Sequence, residues 1–480
     1  MVTLTDVKQI EECVYEIPRS YRDDMRVPAR VIADAAILEA ASHDRGLEQL
    51  VNTACLPGIT NFALAMPDIH QGYGPPIGGV LAMDEETGVI SPGATGYDIN
   101  CGVRLLASEL SFGSVKPRIE ALVDALFAGV PSGVGRGGAL HFADRELDAL
   151  LERGAQYVVE LGYGLPDDLA HTEERGCLAG ARADAVSHEA KKRGSGQCGT
   201  LGSGNHFIEI GRVAEIFDEA TARVFGLFQG QLLVWIHSGS RGLGHQVCTD
   251  YVRGFQQPMR EYGITVPDRE LVCAPFASPE GQNYFAAMAC AANYAWANRQ
   301  VMAHLARTVF LDVLGADAHL RQVYDVTHNI VKRETYAVDG QPRTLIIHRK
   351  GATRCFPAGH ADVPDAYRAA GHPVLVPGDM GTASYVLVGL PAALEKTFGS
   401  SCHGAGRVMS RAAASKQVQG KELQQRLRKQ GVYVHGGSWE GLAEEAPEAY
   451  KDIDRVVRAM ECAGVARRVA KAVPIGVIKG

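Results

Sequence analysis

Apolar residues along the chain form two kinds of pattern, short runs and longer stretches with helical spacing. The short runs at 231–236, 323–326, 344–347 and 385–388 are rich in β-branched residues and predict buried strands. Helical spacing predicts helices over 28–41, 117–130, 144–161, 213–225 and 283–315, and again in the last third, which ends in an apolar tail at 474–480. Residues 88–104 are typical of strand, turn and strand. Because strands and helices are interspersed without a regular rhythm, we predict an α+β fold.

The chain is long enough for several domains, since 480 residues with 46% apolar side chains can bury a large core. No proline- or serine-rich linker, low-complexity tract or internal repeat divides it. The candidate functional residues run from about position 68 to the last few residues, so a division would split the site. We therefore expect one interleaved catalytic domain over residues 1–480.

Charge and targeting features narrow the class of protein. A net charge of −7 argues against a protein that coats nucleic acid, which needs a broad basic surface, but it permits local phosphate binding. The first residues lack a secretory signal and no window approaches 18 apolar residues, so we expect a soluble cytoplasmic protein without a membrane segment. Eleven cysteines without a C-x-x-C pair predict the thiols of a reducing compartment rather than a disulfide framework.

The segment 401–407, with the sequence SCHGAGR, carries the most specific chemistry. It sets His403 before an open Gly-x-Gly backbone that phosphate can approach, and it adds the planar donor fork of Arg407. Taken alone, such a segment is more often a plain glycine turn. Similar loops with His, Asp or Cys beside Gly or Asn recur along the chain, usually just after an apolar run, which favours a catalytic site built from converging loops.

Five residues in these loops form a candidate metal site. Asp98 and Cys101 lie three residues apart on a glycine-bounded turn, where a carboxylate and a thiolate can meet one ion. With His206, His237 and His328 they offer one oxygen, one sulfur and three imidazole donors, a set that suits Zn²⁺, Mn²⁺, Fe²⁺ or Co²⁺. Each residue alone fits an ordinary buried core position, but packing does not explain all five at the ends of apolar runs.

Other nucleotide-binding signatures are absent or out of context. No P-loop sequence occurs. Glycines 133, 135 and 138 have dinucleotide-fingerprint spacing, but they follow a predicted helix rather than a strand. The nearest match to a lysine nucleotidyl-transferase motif has Ala337 in place of the lysine nucleophile. A nucleotidyl intermediate would therefore have to form on histidine.

Four segments together resemble the signature sequences of the RtcB family of RNA-splicing ligases. They are 96–104, 202–207, 237–244 and 401–407, within a resemblance that extends from about residue 66 to 479. The resemblance implies an RtcB-type domain with mixed and antiparallel sheets surrounded by helices. It also implies a GTP- and Mn²⁺-dependent enzyme that joins RNA 3′-phosphate or 2′,3′-cyclic phosphate ends to 5′-hydroxyl ends through a histidine–GMP intermediate, in tRNA splicing or RNA repair.

The same resemblance assigns roles to individual residues. His403 would be the guanylylated nucleophile, Asp98, Cys101 and His206 would hold one Mn²⁺, and Cys101, His237 and His328 would hold the second. Asp379 stands where the family pattern has a small hydroxylated residue, so this chain departs from it there. The residues implied at the nucleotide are Asn205, His206, Phe207, Ile208, Glu209, His328, Asn329, Pro377, Gly378, Asp379, Met380, Ser384, His403, Gly404, Ala405, Gly406 and Lys479. Charge and neighbourhood add His70, Arg241, Lys350 and Arg411 as candidates for RNA phosphates.

Two other functions compete with ligation. A metal-dependent phosphoesterase acting on RNA ends would use the same His, Asp and Cys cluster and would differ only at the His403 loop. A scaffold or RNA-binding module without catalysis is disfavoured, because open glycine-framed ligand loops are costly for structure alone. RNA is the expected partner, with archease as a possible activator, and the oligomeric state stays open with a monomer favoured.

Overall fold

The computed structural model describes residues 2–133 and 137–480, and two large sheets form its centre. The strands are β1 (Lys8–Glu11), β2 (Val14–Ile17), β3 (Ala29–Ile32), β4 (Ile59–His70), β5 (Ile77–Asp84), β6 (Val89–Ile90), β7 (Gly102–Ser111), β8 (Phe207–Ile216), β9 (Gln231–Ser238), β10 (Ala274–Pro275), β11 (Leu320–Thr327), β12 (Asn329–Val338), β13 (Gln341–Lys350), β14 (Ala352–Arg354), β15 (Pro373–Val376), β16 (Ser384–Gly389), β17 (Ser400–Cys402), β18 (Tyr433–Gly436) and β19 (Ala466–Lys479). Gly135 of the rejected glycine pattern lies outside the described residues.

Eighteen α-helices are found within the described residues, and they surround the sheets. They are α1 (Ala35–Ser42), α2 (Gly46–Thr53), α3 (Pro92–Thr95), α4 (Phe112–Val115), α5 (Ile119–Gly129), α6 (Asp144–Arg153), α7 (Ala155–Glu160), α8 (Pro166–Ala170), α9 (His188–Gly194), α10 (Glu219–Phe225), α11 (Arg241–Gly254), α12 (Gln256–Glu261), α13 (Pro279–Leu314), α14 (Ala392–Thr397), α15 (Arg411–Gln417), α16 (Gly420–Lys429), α17 (Trp439–Glu444) and α18 (Ile453–Cys462).

One large sheet has the strand order β1-β2-β3-β4-β5-β13-β12, and the other has the order β11-β7-β9-β8-β19-β16-β15 with β18 added beside β19. The pairs β3–β4 and β18–β19 are parallel, and the other neighbours within these sheets are antiparallel. Two-stranded sheets β10–β6 and β14–β17 complete the set. The predicted α+β class is confirmed.

The two large sheets pack face to face through one apolar cluster. Leu64 of β4 and Leu105 of β7 both belong to it, because alternate residues of each strand point toward the same layer. The other face of the second sheet buries Val234 of β9 against Met302 of α13. Strand ends of both sheets are thereby brought to one side of the molecule, where loops can share a site.

The predicted strands at 231–236, 323–326, 344–347 and 385–388 are confirmed as parts of β9, β11, β13 and β16. The helices predicted over 117–130 and 283–315 are confirmed as α5 and α13, and the helix predicted over 144–161 divides into α6 and α7 at Gly154, whose φ is 59°. The turn within 88–104 contains the short helix α3.

Two predicted helices are wrong in their first halves. Residues 29–32 form β3, because Asp34 caps the N-terminus of α1 and so sets the start of the helix after it. Residues 213–216 continue β8, and Asp218 caps α10 in the same way. The apolar tail is also neither helix nor free end, since it forms the last part of β19.

A single disulfide joins Cys13 to Cys462, and nine other cysteines are free. The expectation of free thiols is therefore wrong at this pair, because spacing along the sequence does not reveal a partner 449 residues away. Within the described residues, no helix combines the length and the apolar character needed to cross a bilayer.

Candidate active site

Loops and strand ends meet at a cavity of about 210 Å³. Five of its residues lie at or next to strand ends: Cys101 just before β7, His237 near the end of β9, His328 between β11 and β12, His403 just after β17 and Lys479 at the end of β19. Antiparallel pairing within the second sheet places Val103 of β7 opposite His237, and the same pairing places Phe207 of β8 opposite His237. Sheet register therefore brings ligands from distant segments to one edge.

The five predicted metal ligands lie in two groups that share Cys101. The sulfur of Cys101 is 3.5 Å from Nε2 of His206 and 3.2 Å from Nε2 of His237. Asp98 completes the first group with Oδ2 2.8 Å from Nε2 of His206, and His328 completes the second with Nε2 3.2 Å from Nε2 of His237. Within each group the ligand atoms lie within 4.8 Å of one another, so each group can close around one cation.

The protonation of the imidazoles fits metal binding. Nδ1 of His206 lies 3.0 Å from the carbonyl oxygen of Leu201, which can accept a ring proton, so Nε2, 2.8 Å from Oδ2 of Asp98, is the atom that would bind an ion. Burial lowers the pKa of His237 and of His328 well below the usual value, so both rings are neutral. Their Nδ1 atoms are buried without a hydrogen-bond partner among the described residues, and Nε2 is the atom that faces the other donors. The donor set therefore suits a divalent transition metal.

Asp98 and Cys101 set the charge of the cluster. Burial alone would raise the pKa of Asp98, but His206 and Arg241 outweigh it and lower the pKa, so the carboxylate is ionised. Burial first, and Asp98 second, raise the pKa of the Cys101 thiol well above its usual value. A cation among these donors would favour the thiolate and release its proton, so metal affinity should increase with pH.

A buried arginine in the middle of α13 holds the backbone that carries these ligands. Nη1 of Arg299 donates to the carbonyl oxygens of Asn100 at 2.8 Å and Ser238 at 2.9 Å. Its Nη2 donates to Oδ1 of Asp325 at 2.7 Å, so the charge is paired. Because Asn100 precedes Cys101 and Ser238 follows the ligand on β9, one planar guanidinium fixes the spacing of both loops.

The predicted nucleophile, His403, lies beside the second metal group, with its ring centroid 4.9 Å from that of His328. Oδ2 of Asp68 accepts hydrogen bonds from Nδ1 of His403 at 2.6 Å and from its backbone nitrogen at 3.0 Å. Asp68 is completely buried. Since this contact holds the ring proton on Nδ1, Nε2 keeps the lone pair that a nucleophile needs.

Glycine at 406 is required by packing rather than by phosphate access alone. Its φ is 75°, and a Cβ there would lie 2.3 Å from the carbonyl oxygen of Asp68. The turn after His403 thus presses directly against the residue that orients the imidazole. The same turn does not leave Arg407 free, because its guanidinium donates to Oε1 of Glu445 at 3.2 Å and to the carbonyl oxygen of Glu444 at 2.8 Å. The phosphate fork predicted for Arg407 is therefore already engaged within the protein.

Most residues implied at the nucleotide line the cavity beside His403. They are Asn205, Phe207, Glu209, His328, Asn329, Pro377, Gly378, Asp379, Met380, Gly404, Ala405, Gly406 and Lys479. Ile208 instead belongs to the apolar cluster on the α5 side of the sheet, as strand alternation requires. Ser384 does not line the cavity itself, but its hydroxyl lies 3.5 Å from Oε1 of Glu209, which does.

Two carboxyl groups and one ammonium give this part of the cavity its electrostatic character. Burial, and then Asp379, raise the pKa of Glu209 to about 8, so its carboxyl carries a proton at neutral pH and can donate a hydrogen bond. Burial also raises the pKa of Asp379. Burial lowers the pKa of Lys479 while Glu445 opposes the shift, and its Nζ donates to the carbonyl oxygen of Gly204 at 3.2 Å.

Two of the four candidates for RNA phosphates line the cavity. Nδ1 of His70 donates to the carbonyl oxygen of Asp68 at 2.8 Å, and burial lowers the pKa of His70 to about 4, so the ring is neutral. The side chain of Arg411 is 49% exposed, and its Nε donates to Oε1 of Glu445 at 3.0 Å. Arg411 therefore keeps part of its guanidinium available to a ligand.

The other two candidates are used to hold loops. Nε of Arg241 donates to Oγ1 of Thr200 at 3.2 Å, beside the loop that carries His206. The ammonium of Lys350 is buried and donates to the carbonyl oxygen of Pro75 at 3.1 Å. Charge and sequence neighbourhood predict a role at phosphate for both cations. They do not reveal that a hydroxyl or a backbone carbonyl of the protein already accepts hydrogen bonds from each.

Among the polar side chains that line the cavity or contact His403, three have no assigned role in the sequence analysis. Asp68 contacts His403, and Glu445 and Tyr450 line the cavity. Asp68 had one signal, its place in the His-containing loop 66–72. Glu445 and Tyr450 lie in an acidic helical region with no glycine frame or histidine, so no local pattern marks them.

Comparison with known proteins shows the family of the chain. The family model described as "tRNA-splicing ligase RtcB" matches residues 49–480. The tRNA-splicing ligase RtcB of Thermococcus kodakarensis is 52% identical over 483 residues, covering all of both chains. That of Archaeoglobus fulgidus is 52% identical over 99% of both chains, and the RNA-splicing ligase RtcB of Mycobacterium tuberculosis is 50% identical over 90% of this chain and all of its own. Since the family model covers most of the chain and these relatives align along nearly all of it, the chain belongs to the RtcB family.

Proposed function

We propose that this chain is an RNA ligase that joins 3′-phosphate or 2′,3′-cyclic phosphate ends to 5′-hydroxyl ends, using GTP and a guanylylated His403. The observation that carries the proposal is the Asp68–His403 pair, held at 2.6 Å beside two cation-binding groups. The relatives are named tRNA-splicing ligases, which supports tRNA halves as substrates and, by the same chemistry, broken RNA ends that need repair.

In the first step Nε2 of His403 attacks the α-phosphorus of GTP. A P–N bond forms, the bond to the bridging oxygen breaks, and pyrophosphate leaves. The ring then carries a positive charge, which the carboxylate of Asp68 faces directly through the proton on Nδ1. Asp68 therefore both presents the correct nitrogen and stabilises the charged product.

Asp98, Cys101 and His206 would hold one Mn²⁺, and Cys101, His237 and His328 would hold a second. Bound ions supply positive charge that neutralises the phosphate oxygens during transfer. Among the protein groups, Glu209 and Lys479 would contact the guanine, because a protonated carboxyl and an ammonium can bind its carbonyl and ring nitrogens. Asp379 would occupy the same end of the pocket.

In the second step an oxygen of the RNA 3′-phosphate attacks the phosphorus of the His403 adduct, the P–N bond breaks, and the guanylate moves to the RNA. In the third step the 5′-hydroxyl oxygen attacks the 3′-phosphorus, its proton passes to solvent, and GMP leaves. A cyclic phosphate is first opened by water to the 3′-phosphate. The exposed half of Arg411 at the mouth of the cavity would contact the RNA phosphates.

Incubation with α-labelled GTP and Mn²⁺, followed by denaturing electrophoresis, tests the proposal. We expect a covalent label that survives alkali and is lost in acid, as a phosphoramidate is. A parallel reaction with archease added covers the case of an activated enzyme. A phosphoesterase would open or remove the RNA phosphate without ever carrying the label, so unlabelled protein that still hydrolyses RNA ends would favour that alternative.

Deleting Lys479 and Gly480 should reduce both labelling and RNA joining while leaving cyclic-phosphate opening less affected. Lys479 is 5% exposed and lies on the last residue of β19, opposite Phe207 of β8, so the sheet delivers its ammonium to the cavity. Loss of a buried cation from the nucleotide pocket should weaken GTP binding on the order of 100-fold, the effect of about 2–3 kcal/mol. The measurement is the GTP concentration that half-saturates labelling.

Lys471→Met is a matched control, because Lys471 lies on the same strand but its ammonium pairs with Asp454 at 3.0 Å. A truncated protein that labels at the parental rate and GTP concentration would remove the tail from the nucleotide pocket.

A further inference from the structure

The strand that carries Asp68 is irregular at the site. Pairing between β4 and β5 is regular from Ala63 to Ala65 and resumes only at His70, with a shift in register between Ala65 and His70. Such a bulge releases backbone groups from the ladder, and each needs another partner. The carbonyl oxygen of Asp68 is bound by His70, and those of its two neighbours, Pro67 and Ile69, are bound by one lysine.

That lysine is Lys451, which precedes the N-cap residue of α18. Its Nζ donates to the carbonyl oxygen of Pro67 at 3.2 Å and to that of Ile69. Its backbone nitrogen donates to the carbonyl oxygen of Gly406 at 2.9 Å. One residue therefore ties the bulge around Asp68 to the turn that follows His403.

The charge of Lys451 also complements a buried anion. Oδ1 of Asp68 is buried and has no hydrogen-bond partner among the described residues, while Oδ2 serves only His403. A buried carboxyl oxygen without a partner is costly, and a nearby cation offsets that cost. Burial lowers the pKa of Lys451 to about 8, and attraction to Asp68, and then to Asp44, opposes that shift.

We propose that Lys451 is a positioning residue that holds the bulge, and with it the carboxylate of Asp68, in place, and so keeps the proton of His403 on Nδ1 and the lone pair on Nε2. No sequence motif and no assigned role pointed to this residue. The consequence for rate rests on the proposed function of His403 as nucleophile. The consequence for the ring proton does not, because it concerns only the Asp68–His403 hydrogen bond.

The test compares Lys451→Met, Lys451→Gln and Lys451→Arg. Proton-detected spectra of ¹⁵N-histidine protein, assigned with His403→Gln, should show a proton on Nδ1 of His403 in the parent and in Lys451→Arg, and its loss or transfer in Lys451→Met and Lys451→Gln. The kcat of RNA joining should fall on the order of 100-fold in Lys451→Met with the KM for GTP nearly unchanged, as expected for misplacement of a reacting group. Lys451→Arg should retain most of the parental kcat of RNA joining.

Lys396→Met is the matched control. The ammonium of Lys396 also donates to a backbone carbonyl, that of Ala463 at 3.1 Å, but on a surface formed with Glu11. Should Lys451→Met fail to fold, Lys451→Gln gives the same test with a donor that lacks charge.

Two results would overturn the proposal. One is a parental His403 proton signal in folded Lys451→Met or Lys451→Gln, whatever the rate. The other is parental kcat in those variants when the parent is labelled on His403. If the parent joins RNA without a label on His403, the histidine intermediate fails, and the proton signal alone still decides the role of Lys451.

Discussion

Replacing His403 with alanine should lower the rate of RNA joining by on the order of a millionfold, the loss seen when a covalent nucleophile is removed. The reason is that the variant has no atom at the position of Nε2, which Asp68 presents beside the cation groups. Single-turnover joining of a 3′-phosphate RNA to a 5′-hydroxyl RNA, with GTP and Mn²⁺, measures the effect. The GMP label on the protein should vanish in parallel.

An RNA that already carries guanylate on its 3′-phosphate separates this step from the last one. His403→Ala should still join it, because the third step uses the activated end and not the histidine. His304→Ala is the control, since His304 lies on α13 against Tyr163 and away from the cavity. A variant that joins ordinary ends at more than a few per cent of the parental rate would show that another group carries the nucleotide.

The residues proposed here as metal ligands and as nucleophile could be found in the sequence because each stands in a recognisable local pattern. His237 ends an apolar run that forms β9, and His403 precedes a Gly-x-Gly turn. A residue at the end of a buried strand lies at the edge of the sheet, where residues from other strand ends and loops can meet it. Which ligands share an ion was implied by the family resemblance, and the structure brings the same two groups together around Cys101.

What local patterns do not show is the approach of distant segments. Asp68 and His403 are 335 residues apart, and their contact depends on the register of β4 and on the packing of a turn against its bulge. The same limit explains Arg407 and Lys350, whose charges suggested phosphate binding. Their partners, a buried carboxylate and a set of backbone carbonyls, come from other parts of the chain.

The C-terminal tail shows how a sheet can change the interpretation of a sequence. A lysine next to the end of a chain is ordinarily a free, charged terminus. Here the end of β19 pairs with β8 on one side and with β18 on the other, so Lys479 has its position fixed between Phe207 and Gly436. Helical spacing dominates the region before it, and only long-range pairing makes Ala466–Lys479 a strand.

Changing Cys101 to serine should remove metal from both groups at once, unlike loss of any of the other four ligands. Among the described residues, Cys101 is the only one that the two groups share. A serine hydroxyl is a weaker ligand than a thiolate and stays protonated near neutral pH, so it neither bridges two cations nor offsets their charge. We expect Mn²⁺ affinity to fall at least about 100-fold, beyond the 10- to 100-fold typical of a supporting residue, and RNA joining to fall with it. Titration with Mn²⁺ followed by electron paramagnetic resonance measures the bound metal independently of activity.

Cys273→Ser is the matched control, because Cys273 is a free cysteine that is completely buried, like its counterpart at the site, and lies away from the cavity. It should bind Mn²⁺ as the parent does. His206→Ala and His328→Ala should each weaken Mn²⁺ binding at one group and leave the other group intact. Each of these variants should therefore bind one Mn²⁺ tightly, whereas Cys101→Ser should bind neither. Affinity in the parent should also increase with pH, since burial and Asp98 raise the pKa of the Cys101 thiol and a cation must displace that proton. If Cys101→Ser bound two equivalents of Mn²⁺ as tightly as the parent, the shared thiolate would not be a ligand, and the two groups would have to be treated as separate sites.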